Sequence, residues 1–274
     1  MVEAKRLLED EGYKPPKIGL FFDTGLLGRW KASERDLTKP EYQEKLYKII
    51  KNFYTILPPG DWALIQDHPV ISFWGTWFDV AFDQTTIDYV RNSFARDFEV
   101  DPYIVGENSW RYASRRKFFG GTKIDFAAPV KLDDVYRWGA SLDGYHDNDG
   151  NFAVVGPGYD ERDLMGSERF GRYVERENGG FYKRNLEIAI GSGKKFLIIE
   201  TWNEFHEATE ICESREYGRK YLDLTARYIR KYRLGEDIQK PKGKWTGKKR
   251  VGFHLKYLPH ALGLVPVETE DGLH

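Results

Sequence analysis

The chain has 274 residues, 41% of them hydrophobic, enough for a sizeable core and too many for wholesale disorder. Its 42 basic and 43 acidic residues nearly cancel, which argues against nucleic acid or an anionic membrane as partner and leaves room for a neutral, hydroxyl-rich one such as a carbohydrate. The single cysteine, Cys212, excludes an internal disulfide and a cysteine-built zinc site, and no run approaches the roughly 20 apolar residues of a membrane span.

Short apolar runs alternate with helical periodicity along the chain. Lys17 to Asp23 reads as a strand after Pro15-Pro16, and Tyr42, Leu46, Ile49, Ile50 and Phe53 then recur at helical spacing. Val70 to Trp74 is the next strand, followed by a helix marked by Ile87, Val90 and Phe94, with Asp83 or Thr85 as N-cap. Pro102 to Gly106 is a third strand. Asp133 to Tyr136 reads as a short helix or turn before a weak strand near Gly139 to Ser141. Phe152 to Val155 is a further strand, Phe181 to Ile190 a helix stopped by Gly191 and Gly193, and Lys195 to Glu200 the strongest strand. Tyr217, Tyr221, Leu224 and Tyr228 mark a closing helix.

Continuous apolar runs indicate strands covered on both faces, as in a parallel sheet under helices. The alternation predicts an α/β fold, a (β/α)8 TIM-barrel-like domain over residues 1–235. About six strand–helix units are visible where a closed barrel has eight, so the expectation is a barrel incomplete at its N-terminus, or an open one. Residues 236–274 change character: a basic, Pro/Gly-bearing linker leads into an extended tail or the start of a β-rich accessory region.

The chemistry concentrates in Ile198 to Ile211, where an apolar strand runs into a loop dense in carboxylates. Ligands of α/β sheets and barrels bind at the carboxyl ends of strands. Glu204 and Glu207 follow that end three residues apart. Cleavage of a glycosidic bond needs such a pair, one carboxyl to donate a proton and one to act as base or support charge. The competing reading makes Glu200, Glu204, Glu207, Glu210 and Glu213 one solvated acidic face. Interleaved Trp202, Asn203 and Phe205 weigh against it.

The segment Thr201-Trp202-Asn203-Glu204-Phe205-His206-Glu207-Ala208-Thr209 resembles the signature of glycoside hydrolase family 99, the endo-α-mannosidase-like barrels. Val154 to Asp160 is similar to a second segment of that family, and Ile18 to Asp23 and Val70 to Gly75 resemble its earlier barrel strands. The resemblance covers about residues 17–231 and implies that Glu204 deprotonates a sugar 2-hydroxyl while Glu207 is the acid/base on the glycosidic oxygen. It implies retention by substrate participation. Phe205 replaces a tryptophan and Ala208 a glycine, and the latter matters if the backbone there needs positive φ.

Substrate-binding candidates are Trp202, Asn203 and His206 on the same loop, Tyr159 and Asp160 after an earlier strand, and Trp74, Trp77 and Glu107 after earlier ones still. Each has a plainer reading: core packing for Trp74, a local hydrogen bond for Asn203 and His206, and an ordinary turn built by Pro157 and Gly158 for Tyr159 and Asp160. No metal or organic cofactor is expected. The oxygen-rich loop of Asp143, His146, Asp147, Asn148 and Asp149 lacks the full calcium pattern, and there is no phosphate-binding glycine loop or serine nucleophile elbow. The leading expectation is a glycosidase acting on an oligo- or polysaccharide. Its rivals are a non-catalytic glycan-binding or degenerate barrel and a metal-dependent hydrolase.

Overall fold

The structure, a computed structural model, describes residues 2–31, 34–76, 80–115, 125–162 and 171–234. The tail expected at 236–274 and the candidate Trp77 lie outside them. The chain divides into two compact units, one running to Val135 and one starting at Tyr136.

In the first unit, α1 (Val2–Asp10) precedes β1 (Leu20–Asp23) and α2 (Pro40–Ile56). Pro40 occupies the first turn of α2, where its missing N–H costs nothing. The buried face of α2 is Gln43, Leu46, Tyr47, Ile50 and Tyr54, a stripe at helical spacing. A short β2 (Leu64–Ile65) turns through Gln66 and Asp67, both at positive φ, into β3 (His68–Trp74). Asp83 caps α3 (Gln84–Phe98) by accepting from Thr85 N–H, so of the two expected caps Asp83 is the one used. Then come β4 (Tyr103–Glu107), an antiparallel pair β5 (Tyr112–Arg115) and β6 (Asp125–Pro129), and β7 (Asp134–Tyr136), whose last residue is the first of the second unit.

The sheet order is β1-β3-β4-β7, with β1 parallel to β3 and β3 parallel to β4. Phe22, Ile71, Phe73 and Ile104 from its strands pack with Leu46, Ile50, Ile87, Val90 and Phe94 from α2 and α3. Each such side chain contributes about 1.5–3 kcal/mol on burial. Residues 134–136 therefore form a strand, not the expected helix or turn. Asp134 and Val135 are held in the sheet by long-range pairing beside β4, which no local pattern announces.

The second unit opens with α4 (Ala140–Asp143), where a weak strand was expected, and continues with β8 (Phe152–Val155). A short antiparallel pair follows, β9 (Tyr159–Asp160) with β10 (Tyr173–Val174). Then come α5 (Gly180–Gly191), β11 (Phe196–Ile199) and α6 (Lys220–Leu234). β8 and β11 pair in parallel, Phe152 with Phe196 through Val155 with Ile199, so the segments leaving them emerge side by side. β8 is buried at all four positions, while β11 is only partly buried at each, less covered than its apolar run suggests. Ala153, Val155, Tyr182, Leu186, Ala189, Ile211, Tyr221 and Tyr228 form the core around them.

Two glycines are dictated by close approach. A Cβ on Gly156 would stand 1.9 Å from Ser141 Oγ. Gly158, at φ +126°, would bring one to 2.8 Å from Arg176 Cγ. The Gly156-Pro157-Gly158 run is thus fitted to its neighbours and aims Tyr159, the residue it delivers.

Candidate active site

Glu200 immediately follows β11, and its N–H bonds Val155 O at 3.0 Å. Its carboxylate accepts from the N–H groups of Gly139 (2.5 Å), Ala140 (2.6 Å) and Ser141 (2.8 Å). These are free donors at the start of α4, and a carboxylate supplied from β11 satisfies them. That contact explains why 140–143 is helical. Burial pushes the Glu200 carboxyl up, against the pull of these donors.

Beyond Glu200 the chain folds into a tight loop. Ile211 and Cys212 N–H both donate to Trp202 O, at 3.1 and 3.0 Å, and Thr209 N–H donates to Glu204 O at 3.1 Å. Thr201 Oγ1 lies 2.9 Å from Thr209 Oγ1. Ala208 sits at φ +44°, so the position does adopt the left-handed conformation that a glycine would take without strain. Alanine costs about 1–2 kcal/mol there.

Arg176 anchors the far side of this loop. It donates to Ala208 O (2.7 Å), Glu210 O (3.0 Å) and Glu210 Oε2 (2.7 Å). The two side chains are 7% and 4% exposed, and the guanidinium lies over the rings of Tyr217 and Tyr221. Burial of both charges is tolerated because the pair is direct and both terminal guanidinium nitrogens also meet carbonyls.

The two candidate glutamates project from this framed loop, both partly buried. Glu204 Oε1 is 2.6 Å from His206 Nε2, so His206, 68% exposed, is an orienting neighbour of Glu204. Glu207 Oε1 lies 2.8 Å from Tyr159 Oη, within hydrogen-bond distance, and Glu207 O accepts from Asp160 N–H at 2.9 Å. Tyr159 is buried, and its hydroxyl also lies 2.7 Å from Glu161 Oε2. Burial, with the two carboxylates beside it, pushes the Tyr159 phenol well up, so it stays neutral. Burial alone would raise Glu161. The Arg172 guanidinium and the Tyr159 hydroxyl overcome that and hold it below the usual carboxylate range.

The other candidates fall as follows. Asp160 is held by Arg162, with contacts of 2.7 and 2.6 Å to its two oxygens. Trp202 is 57% exposed, and Asn203 is exposed beside it. Trp74 ends β3, partly buried, and Glu107 ends β4, both in the first unit. Glu107 Oε2 accepts from Ser109 N–H at 2.8 Å and so caps the short helical turn after it. The structure thus brings Glu204, Glu207, His206, Trp202, Asn203, Tyr159 and Asp160 onto two adjoining segments of the second unit. Among the described residues, no group of three or more His, Cys, Asp or Glu is arranged to hold a metal ion. Among them, no helix is long and apolar enough to cross a membrane.

The family model described as "Domain of unknown function (DUF5010)" matches residues 1–239. The chain belongs to this family. No curated protein matches it. Among solved structures, the GH99 endo-alpha-mannosidase from Bacteroides thetaiotaomicron is similar at 16% identity and TM-score 0.51, over 81% of this chain and 67% of that one. The same organism's GH99 endo-alpha-mannosidase in complex with BIS-TRIS-propane gives 16% and 0.51, over 80% and 70%. A glycoside hydrolase-like protein gives 15% and 0.46, over 69% and 62%. The likeness to the first two establishes the fold of this DUF5010 chain as α/β and TIM-barrel-like.

Sequence reasoning missed several residues that frame the site in this DUF5010 chain: Glu161, Arg172 and Arg176, and also Phe205, which is 56% exposed beside Glu204. A signal existed for the first three. Asp160-Glu161-Arg162 and Arg172 to Arg176 are charge-dense segments flanking apolar Tyr159 and Val174, which suggests internal pairing. The five glutamates do not form one solvated face. Glu200 and Glu210 are inward and partnered, Glu204 and Glu207 are intermediate, and Glu213 is exposed.

Proposed function

We propose that this chain is a glycoside hydrolase that cleaves an α-linked oligosaccharide with Glu207 as proton donor and Glu204 as its partner. The observation that carries the reading is the hydrogen bond of Glu207 to the buried Tyr159 hydroxyl, on a loop that also presents Glu204 beside His206. The likeness in fold to an endo-alpha-mannosidase supports mannose as the first sugar to test.

In this reading Glu207 passes its proton to the glycosidic oxygen as the C1–O bond breaks. Glu204 takes the proton of the 2-hydroxyl, whose oxygen closes on C1 to give an anhydro-sugar. Water then opens that ring, losing a proton to Glu207 as Glu204 returns one to O2. Both glutamates end as they began and the configuration is retained. Trp202 and Phe205, two large rings left exposed beside the carboxylates, offer flat apolar faces to sugar rings. Asn203 and His206 supply hydroxyl-binding groups.

The exposed rings also favour a second reading, glycan binding without cleavage. A panel of α- and β-linked oligosaccharides separates the two, with release of reducing ends and binding heat measured on the same samples. Turnover of an α-linked manno-oligosaccharide is the expected result. Binding with no new reducing ends on any sugar would favour the second reading.

A further inference from the structure

We propose that Glu161, held by Arg172, is a positioning residue for the proton that Glu207 delivers and acts on it through the Tyr159 hydroxyl. The inference rests on the reading of Glu207 as proton donor. A phenol has one proton to give and two lone pairs to receive. Three groups surround Tyr159 Oη: Glu161 Oε2 at 2.7 Å, Glu207 Oε1 at 2.8 Å and Arg172 Nη2 at 3.1 Å. Two carboxylate oxygens therefore compete for one proton.

Glu161 holds the stronger claim to it. Its side chain is 0% exposed and is forked by Arg172, Nε to Oε1 at 2.7 Å and Nη2 to Oε2 at 3.0 Å. A third donor, Arg172 N–H, reaches Oε1 at 3.3 Å. A buried carboxylate so paired stays ionised and accepts the phenol proton. Arg172 fills one phenol lone pair, and the other faces Glu207. At 2.8 Å that contact is a hydrogen bond only if Glu207 carries the proton. The chain Glu207–OH to Tyr159–OH to Glu161 carboxylate is the arrangement in which all three contacts at the phenol oxygen are hydrogen bonds.

The same set supports the next step. Once Glu207 has given its proton to the glycosidic oxygen, the phenol O–H turns to the new carboxylate, and Glu161 remains satisfied by Arg172. Water later returns a proton to Glu207 and the phenol turns back. Two further polar contacts frame the loop. Glu204 meets His206 at 2.6 Å, and Arg176 meets Glu210 at 2.7 Å. A purely structural role for Glu161 would tie β9 to β10 and leave proton delivery alone.

Leaving-group dependence distinguishes the two roles. The probes are an α-linked mannose disaccharide as its glycosyl fluoride, which departs without a proton, and as its methyl glycoside, which needs one. Glu161→Gln keeps the shape of the side chain, and Tyr159→Phe removes only the hydroxyl, so one variant serves if the other fails to melt cooperatively. Both are expected to lose about tenfold or more on the methyl glycoside, part of the 10²–10⁴ that a general acid supplies, and less than about twofold on the fluoride. Equal losses on both probes would overturn the proposal. Glu207→Gln is the control. If it too shows no such selectivity, the donor reading fails and takes this inference with it. If it alone shows selectivity, only this inference fails.

Discussion

Arg176→Met is expected to cost about 3–5 kcal/mol of folding stability, as breaking a buried ion pair does. Glu210 is 4% exposed and would keep its charge with no partner. The carbonyls of Ala208 and Glu210 would lose the guanidinium donors that now meet them at 2.7 and 3.0 Å. Tyr217 and Tyr221 would lose the cation over their rings. Most of this loss comes from the charge left behind. The double variant Arg176→Met with Glu210→Met should therefore recover a good part of it, because a buried ion pair replaced by apolar groups is often near neutral. Urea unfolding of the three proteins measures both effects. A loss below about 1 kcal/mol in the single variant would mean that the pair is solvated and does not tether the loop.

Glu204→Gln is expected to lower turnover about 10²- to 10⁴-fold while leaving stability nearly unchanged. The carboxylate is 38% exposed, and its 2.6 Å neighbour, His206, is 68% exposed, and contacts between side chains this exposed contribute little to stability. The amide fits the same space but does not accept the proton of a 2-hydroxyl. Its effect should therefore fall on kcat more than on KM, since the lost interaction belongs to the transition state. A variant that kept its rate on the sugar the parent cleaves would remove Glu204 from the chemistry.

These effects follow from features of unequal visibility in the sequence. The helix faces of α2 and α3 were legible because Leu46, Ile50, Ile87, Val90 and Phe94 recur with the helical period, and burial follows it. The loop after β11 was legible because carboxylates interleaved with Trp202 and Phe205 are unusual for a solvated face. Other features depend on partners far along the chain. Glu200 meets Gly139 across 61 residues, and that contact makes residues 140–143 helical where a strand was expected. Arg176 meets Glu210 across 34, and Arg172 meets Glu161 across 11. A charge in a sequence looks like a solvated charge until its partner is placed, so the framework of the site stayed hidden while its projecting glutamates did not.

The most direct test of the central claim is the kcat/KM of Glu207→Gln against that of the parent, on an unactivated α-linked manno-oligosaccharide. Removing the proton donor predicts a fall of at least about 10²-fold in a protein that melts like the parent. An unchanged kcat/KM in that variant would contradict the assignment of Glu207 and with it the proposed mechanism.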